Sequence, residues 1–374
     1  MFLFLAALFF FIALFPYMIY LAGIYFGKKS VPIHALLMYP KISIIISAYN
    51  EELVIEKRIA NIQECHYPKE NIEIIFVDDC SSDNTKNLAK LYLERSGIPY
   101  YLIANTKRLG TNRSYNSALT KAQYPIIVTT DADVFFEPDA LNNLIGRLFS
   151  DEKIAAVTGE LRPLMNTQST TLLEGVYRSF YGRICEWESA HDSTYNFNGA
   201  LVAFRSDLIR RINDKRGADD ANTAFEAIRK GYRAVYESKA IVYEEIPKSF
   251  KIQFRQKTRR ATGLIEATLS NLDLLGEKTP FSRFFYPLRI FIYLATPLVF
   301  FVGLVFFSIG IFLYNPIVVL LLFFVLVLFG MFWRKNLLFA FIINQFYLLA
   351  GLLNLGKDMR VWESTSDKKK GKSL

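Results

Sequence analysis

The chain has 374 residues, of which 52% are hydrophobic, and it carries a formal net charge of +9. With a mean hydropathy of +0.20 it is too apolar to consist only of soluble domains, so part of it is expected to lie in a membrane. Three cysteines and three histidines argue against a disulfide framework or a structural zinc site, and basic residues beside apolar segments favour lipid headgroups over nucleic acid as partners.

An apolar segment opens the chain. Residues 1–27 contain no charged side chain and are followed by Lys28 and Lys29, and this length is sufficient to cross a bilayer of about 30 Å. No small-residue cleavage site follows a short apolar region, so residues 1–29 are predicted to be a retained transmembrane anchor and not a signal peptide. The two lysines predict that the residues after them face the cytoplasm.

Strand and helix patterns alternate after this anchor, over a soluble block predicted to cover residues 30–246. Short apolar runs rich in β-branched residues are separated by stretches with helical periodicity. This alternation predicts an α/β fold with a parallel, doubly wound, Rossmann-like sheet. The predicted strands are 42–47, 72–77, 100–103 and a run that opens at Pro125, and the predicted helices are 53–63, a stretch from 84, and 112–121.

Two carboxylates follow the fourth predicted strand. Asp131 and Asp133 are separated by one residue, and side chains alternate in an extended chain, so both point to one face while Ala132 points away. Oxygen ligands in this arrangement suit a hard divalent cation, Mn²⁺ or Mg²⁺, that also binds a diphosphate. The alternative is a strand that ends in turn-forming aspartates. Asp79, at the end of the second strand, is expected in the crevice where open α/β sheets bind nucleotides.

Four segments in their order and spacing resemble the GT-A fold of family 2 glycosyltransferases. They are Ser-Ala-Tyr-Asn-Glu at 47–51, Val-Asp-Asp-Cys-Ser-Ser-Asp-Asn-Thr at 77–85, Arg-Leu-Gly at 108–110 and Asp-Ala-Asp at 131–133. The resemblance implies a nucleotide-sugar donor, with the diphosphate bridged by a metal on Asp131 and Asp133. The donor-binding residues that it implies in this half of the block are Ala48, Tyr49, Glu51, Asp79, Lys107, Arg108, Gly110 and Asp131.

The second half of the block is expected to hold the acceptor and the catalytic base. The apolar segment 199–205 resembles the family's acceptor-pocket strand, which implies acceptor contacts from Asn198 and Gly199; an ordinary core strand is the alternative. The segment 218–231 is a helical pattern with two acids at its start. It resembles the family's Thr-Glu-Asp helix, which implies Asp220 as the base and Asp219 on the acceptor side. Helix capping is the alternative role for Asp220.

A basic amphipathic stretch follows at 251–270, within interface helices predicted at 247–288. Gln256, Arg259 and Arg260 fall on one helical face. They resemble the Gln-x-x-Arg-Trp signature of cellulose, chitin and hyaluronan synthases, with Arg260 in place of tryptophan, and this implies that all three bind the donor. A patch that binds lipid headgroups is the alternative.

The apolar character returns in the C-terminal part, residues 289–356. Three further spans are predicted there, and polar residues leave open whether the last one crosses the membrane, re-enters it or lies along its surface. A basic tail is predicted at 357–374. The three segments cover 290–313, 317–333 and 337–355, and the polar residues of the last are Asn344, Gln345 and Asn354.

Together these features predict an inverting glycosyltransferase in the cytoplasmic membrane, with its catalytic domain in the cytoplasm. It is expected to move a sugar from a nucleoside-diphosphate donor, UDP-sugar first and GDP-sugar second, to a lipid-linked sugar or a lipid phosphate. A processive synthase that exports a polysaccharide is the next interpretation. A catalytically silent membrane scaffold, which would be expected to lose Asp133 or Asp220, and a transporter are interpretations of another class.

Overall fold

The computed structural model describes residues 1–28, 36, 38–164, 169–213, 217–247, 249–314, 317 and 337–357. The strands are β1 Ile42–Ala48, β2 Ile72–Asp78, β3 Tyr100–Ala104, β4 Ile126–Asp131, β5 Val134–Phe136, β6 Ile154–Pro163, β7 Val202–Arg205 and β8 Arg233–Glu244. The helices are α1 Phe2–Phe26, α2 Ile55–Gln63, α3 Thr85–Ser96, α4 Thr111–Leu119, α5 Ala140–Phe149, α6 Ser169–His191, α7 Asp219–Arg229, α8 Phe250–Ser270, α9 Phe281–Tyr314 and α10 Leu337–Leu353.

The eight strands form one sheet in the order β3-β2-β1-β4-β7-β6-β8-β5. The first four strands are parallel, as the alternating pattern predicts. The complete sheet is mixed, because β7 runs antiparallel to both β4 and β6, and β5 runs antiparallel to β8. An alternating strand–helix pattern in the sequence predicts parallel strands that are joined by crossover helices. It does not predict the direction of strands added later in the chain, because that direction depends on tertiary pairing.

The central strand β1 is buried on both faces of the sheet. Ile44 and Ile46 belong to one apolar core and Ile45 to the other, and none of the three is exposed. This explains why β1 is continuously apolar and does not alternate with polar residues. Burying each such side chain contributes about 1.5–3 kcal/mol. The second core also contains Tyr20 of α1 and Leu348 of α10, so the sheet domain and the apolar helices share one hydrophobic core.

Two described helices are long and apolar enough to cross a membrane, α1 and α9. They pack along each other, with the rings of Phe9 and Phe306 stacked at 5.5 Å and Gly303 against Phe10. Helix α9 begins earlier than the predicted span, and α10 is a shorter apolar helix of 17 residues. The predicted span at 317–333, apart from Ile317, and the tail beyond Lys357 lie outside the described residues.

A buried ion pair joins the sheet domain to the apolar helices. The Arg289 Nε of α9 lies 2.7 Å from the Glu188 Oε1 of α6, and both side chains are almost fully buried. The Tyr20 hydroxyl of α1 donates to the same Glu188 oxygen at 2.5 Å, and Thr194 donates to the other oxygen at 2.5 Å. Arg289 also donates to the Tyr293 hydroxyl at 2.9 Å. We refer to these five residues as the Glu188 clamp.

Candidate active site

A cavity of about 870 Å³ opens between the carboxyl ends of the central strands and helices α6, α8, α9 and α10. It contains most of the residues that the sequence assigns to the metal, the base and the acceptor. The predicted site residues that line it are Tyr49, Glu51, Asp131, Asp133, Asn198, Gly199, Asp220, Gln256, Arg259 and Arg260.

Asp131 and Asp133 lie on the same wall of this cavity. Asp131 is the last residue of β4, and Ala132 between the two is 3% exposed and belongs to the core. This agrees with the predicted alternation of side chains. The described residues include no group of three or more acidic, histidine or cysteine side chains that could hold a metal ion. Two carboxylates fit a divalent cation that takes its remaining oxygen ligands from a bound diphosphate.

Asp79 organises the loop that follows β3, and it lies outside the cavity lining. Its carboxylate accepts hydrogen bonds from the backbone N–H groups of Leu109 (2.8 Å) and Gly110 (3.0 Å), from Asn105 Nδ2 (2.8 Å) and from Arg108 Nε (3.3 Å). Burial by itself raises the pKa of Asp79, but the hydrogen bonds, that from Leu109 first, outweigh it and leave the pKa below its ordinary value. Asp79 therefore stays ionised and holds this loop in position.

The remaining predicted donor residues surround the edge of the cavity. The guanidinium carbon of Arg108 lies 3.2 Å from the ring centroid of Tyr49, which does line the cavity. Ala48 ends β1 and is buried, and Lys107 is exposed. Gly110, with φ of 82°, precedes α4. The structure thus places Ala48, Lys107, Arg108 and Gly110 next to the site, and their role in donor binding stays a prediction.

Two residues in the turns beside this site have left-handed backbone conformations. Asn50 after β1 has φ of 56°, and Cys80 after β2 has φ of 61°. The Asn50 side-chain oxygen accepts a hydrogen bond from the Ser82 N–H at 2.8 Å, and the Asn50 N–H donates to Ser81 Oγ at 3.0 Å. Such conformations cost about 1–3 kcal/mol each and are retained where neighbouring contacts impose them. The two turns are therefore held against each other at the strand ends.

Asp220 is the second residue of α7 and is half-buried at the cavity wall. Ala218 occupies the N-cap position without a side-chain hydrogen bond, and Asp220 Oδ1 accepts a hydrogen bond from the Ala221 N–H of the first turn at 2.7 Å. Stabilisation of the helix start therefore stays an alternative role for Asp220 beside that of the base. Asp219 is the first helical residue. Gly217, with φ of 81°, lets this turn approach α8, because a Cβ there would lie 2.7 Å from the backbone of Ala267. The base candidate is thus positioned by the contact of the α7 turn with α8.

The Gln256, Arg259 and Arg260 face of α8 points into the cavity, in agreement with the predicted spacing. Arg260 Nη2 lies 2.8 Å from Glu244 Oε1, and Gln256 Nε2 donates to the same oxygen at 3.4 Å. Burial tends to lower the pKa of Arg260, but the Glu244 charge raises it overall. Glu244 of β8 therefore holds Arg260 in place through an ion pair. This contact distinguishes Arg260 from the tryptophan that the Gln-x-x-Arg-Trp signature has at this position.

Four charged residues of the cavity wall escape sequence analysis. Arg178 lies 2.5 Å from Glu174 and 2.7 Å from Glu244, and Lys257 lies 2.5 Å from Glu174. Burial opposes the ionisation of Glu174, but Lys257 and then Arg178 lower its pKa to about 2. Burial lowers the pKa of Lys257 to about 8. Only the Glu174–Arg178 pair has a sequence signal, its i, i+4 spacing on a helix.

Comparison with known proteins gives matches of three kinds. The family described as Glycosyl transferase family 2 matches residues 43–212. A relative named probable glycosyltransferase YdaM, from Bacillus subtilis (strain 168), is 30% identical over 234 residues, which are 60% of this chain and 55% of the relative. Poly-beta-1,6-N-acetyl-D-glucosamine synthase from Staphylococcus aureus is 25% identical over 234 residues, which are 61% of this chain and 55% of the relative. The chain therefore spans about half the length of these curated relatives.

Among solved structures, the mannosyltransferase PcManGT from Pyrobaculum calidifontis, in complex with GDP-Man and Mn²⁺, superposes with a TM-score of 0.80 at 24% identity. The match covers 95% of this chain and 98% of that protein. The two proteins therefore share the fold.

Proposed function

We propose that this chain, whose residues 43–212 form a glycosyltransferase family 2 domain within a GT-A fold, transfers a sugar from a nucleotide-sugar to an acceptor held by the membrane. The observation that carries the proposal is the lining of one cavity. The metal candidates Asp131 and Asp133, the base candidate Asp220 and the cationic Arg259 all face the same space. Donor, metal and acceptor can therefore meet there with each chemical role supplied by a separate residue.

The proposed mechanism is a single in-line displacement with inversion at the anomeric carbon. Asp131 and Asp133 would hold a divalent cation, which would neutralise the charge that develops on the leaving diphosphate. Arg259 donates hydrogen bonds to the same diphosphate through its planar guanidinium. Asp220 accepts the proton of the acceptor hydroxyl as that oxygen attacks. No covalent intermediate is proposed.

The donor is proposed to be a UDP-sugar, with a GDP-sugar as the alternative. The resemblance to the cellulose, chitin and hyaluronan synthases supports UDP. The fold shared with a mannosyltransferase that binds GDP-Man and Mn²⁺ supports GDP. Both share the diphosphate that Asp131, Asp133 and Arg259 are proposed to bind, so the choice depends on the base and not on these residues.

The acceptor is proposed to arrive from the membrane. The cavity extends from the sheet to the apolar helices, where Tyr293 of α9 and Asn344, Tyr347 and Leu348 of α10 line it. A cavity that opens between a polar site and apolar helices suits an acceptor with a polar head and an apolar chain. With α1 and α9 as spans and Lys28 after the first one, the sheet domain is proposed to lie on the cytoplasmic side.

Synthesis of a longer glycan is the second candidate. One relative is named a poly-beta-1,6-N-acetyl-D-glucosamine synthase, and the inner end of the cavity is partly polar at Asn344. The sequence predicts four apolar spans, of which the structure describes α1, α9 and α10, and four helices form a small wall for a path in which the sugar hydroxyls must be hydrogen-bonded inside a bilayer. Transfer of one or a few sugars is therefore preferred.

The decisive experiment supplies labelled UDP- and GDP-sugars, with Mn²⁺ or Mg²⁺, to the full-length chain in native membranes. We expect transfer to an extractable glycolipid, its abolition by EDTA, and its recovery when either metal is returned. Asp133→Ala should lose transfer and resist recovery by metal. Asp139→Ala, which removes an exposed carboxylate outside the cavity, should keep wild-type transfer. Full activity in EDTA would refute the metal site, and a high-molecular-weight product would establish the processive alternative.

A further inference from the structure

Two polar side chains on one wall of the cavity each have a buried atom without a hydrogen-bond partner among the described residues. Tyr236 of β8 is 5% exposed, and its hydroxyl lacks a partner among the described residues. Asn198 donates through Nδ2 to the carbonyl oxygen of Gly159 at 2.6 Å, while its Oδ1 lacks a partner in the same ranges. Both side chains line the cavity. A buried polar atom without a partner destabilises the protein, and a ligand that bonds to it can recover this loss.

Glu160 of β6 lies next to these two residues in the same lining. It is 9% exposed, and Arg162 is its one ion-pair partner in the part of the chain that the structure describes, at 3.8 Å. Burial raises the pKa of Glu160 to about 7, so near neutrality its carboxyl group can donate as well as accept hydrogen bonds. Since Asn198 bonds to Gly159, the residue before Glu160, the amide and the carboxyl group lie along the same stretch of β6.

Gly182 of α6 packs directly against this wall. A Cβ atom at this position would lie 2.6 Å from the Tyr236 hydroxyl and 2.8 Å from Glu160 Oε2. The two polar atoms therefore converge on one point of the helix surface that carries no side chain. On the same helix, Tyr181, which directly precedes Gly182, and Tyr177 line the cavity with ring centroids 4.5 Å apart.

The chemistry of these groups selects the ligand. The Tyr236 hydroxyl can donate, Asn198 Oδ1 can accept, and the Glu160 carboxyl group can do both. Sugar hydroxyls donate and accept at each position, and they match such a set without bringing charge. A phosphate group would bring its negative charge next to the acidic Glu160 side chain. It would also leave Asn198 Oδ1 without a hydrogen-bond donor. The tyrosine rings of α6 supply the apolar faces on which sugar rings pack.

From this geometry we infer that Glu160, Asn198 and Tyr236 form a subsite that binds hydroxyl groups of an acceptor sugar. This inference rests on the proposed function and sharpens it, because the acceptor then already carries a sugar and is not a bare lipid phosphate. The three residues contact the acceptor and are distinct from the residues proposed to bind the metal and the diphosphate.

The main test is Tyr236→Phe, which removes a single unpartnered hydroxyl. We expect transfer to the membrane acceptor to fall roughly tenfold, the loss of one ligand hydrogen bond. Donor affinity and donor hydrolysis in the absence of acceptor should stay at the wild-type level. Tyr243→Phe is the matched control, because it makes the same change on the same strand at a hydroxyl that donates to Glu137 outside the cavity. Wild-type transfer by Tyr236→Phe, with the control also normal, would overturn the subsite.

A second test measures sugar binding directly in the full-length chain in nanodiscs. Octyl glucoside, octyl mannoside and octyl N-acetylglucosaminide serve as probes, and saturation-transfer NMR reports their ring protons. We expect contact in the wild type and its loss in both Tyr236→Phe and Gly182→Ala. The methyl group of Gly182→Ala would lie 2.6 Å from the Tyr236 hydroxyl and 2.8 Å from Glu160 Oε2, so it would displace both groups from their positions. Unchanged contact in both variants contradicts the inference.

The two proposals fail in distinguishable ways. If the wild type hydrolyses and transfers no nucleotide-sugar but still binds the glycosides through Tyr236, the proposed function fails and the subsite stands. If transfer occurs and its product is a sugar joined directly to a lipid phosphate, the function stands and the subsite inference is wrong. A lower melting temperature of Gly182→Ala identifies a folding defect in that variant, and Tyr236→Phe then decides alone.

Discussion

At the residue scale, Asp220 is the residue proposed to take the proton of the acceptor hydroxyl. It lies at the N-terminal end of α7, across a turn that Gly217 allows to approach α8, and it lines the cavity. The positive end of a helix stabilises a carboxylate in its ionised, basic form. This is the form that a general base requires at neutral pH.

We therefore expect Asp220→Asn to reduce transfer by roughly 10²–10⁴-fold, the usual contribution of a general base. Donor affinity, measured by nucleotide binding to the same preparation, should change little, because the lost charge acts on the acceptor proton. Asp219→Asn is the comparison, since it removes the neighbouring carboxylate. Strong loss in Asp219→Asn together with normal transfer in Asp220→Asn would reassign the base.

Glu174 links two cations of the cavity wall and makes the protein sensitive to acid. Lys257 and Arg178 lower its pKa to about 2 in the folded chain, against an ordinary value of 4.5. A depressed carboxyl pKa stabilises the fold at pH values above 4.5, and this contribution is lost as the pH falls from 4.5 towards 2. The difference in pKa corresponds to about 3 kcal/mol.

We expect the midpoint of thermal unfolding to fall in this pH window for the wild type. Glu174→Gln should lower the midpoint at pH 7 and flatten its dependence between pH 4.5 and 2, as followed by circular dichroism in detergent. Glu152→Gln, which neutralises an exposed carboxylate, serves as the control and should reproduce the wild-type profile. An unaltered pH profile in Glu174→Gln would show that the network does not contribute in this way.

At the scale of elements, the Glu188 clamp determines how α1, α6 and α9 fit together. Its members come from all three helices and from the loop after α6. The Arg289 side chain is only 1% exposed to solvent. A buried guanidinium that loses its carboxylate is left uncompensated in a medium of low dielectric constant.

Glu188→Leu should thus destabilise the chain by about 3–5 kcal/mol, whereas Glu188→Leu combined with Arg289→Met should recover most of the loss because it removes both charges. Denaturant unfolding in detergent measures both variants. Arg283→Met, at an exposed position of the same helix, is the matched control and should be neutral. Equal destabilisation by the single and the double variant would mean that packing, and not charge compensation, determines the stability of this junction.

At the scale of the whole molecule, the sheet domain and the apolar helices share a core and a cavity, so the orientation of one determines that of the other. If α1 crosses the membrane with Lys28 inside, every described strand lies in the cytoplasm. A protease site inserted at Gly97, an exposed turn with φ of 69° and open space around it, reports this orientation.

We expect external protease to leave this site intact in whole cells and to cleave it in inverted vesicles. An equivalent insertion at the N-terminal end of α1 should show the opposite pattern, because the helix places its two ends on opposite sides. Cleavage at Gly97 in intact cells would show that the sheet domain lies outside the cell. The domain could then not take its donor from the nucleotide-sugars of the cytoplasm.

The amino-acid sequence by itself determined the features that depend on local spacing. The four parallel strands, the shared face of Asp131 and Asp133, the start of α7 at Asp219 and the Gln256 face of α8 all follow from periods of two or 3.6 residues. The strand ends carry the polar groups, and parallel strands bring those ends to one edge, so the location of the candidate site was also predictable.

Only the tertiary structure decided the features that join distant parts of the chain. The antiparallel insertion of β7, the Glu174–Arg178–Glu244–Lys257 network, the Glu188 clamp and the convergence of Glu160 and Tyr236 on Gly182 all connect residues on different elements. Each of these contacts is decided by which surfaces the whole chain buries together, because charges are stable inside only when partners from other elements meet them. The local periodicity of the sequence does not predict which distant residues become these partners.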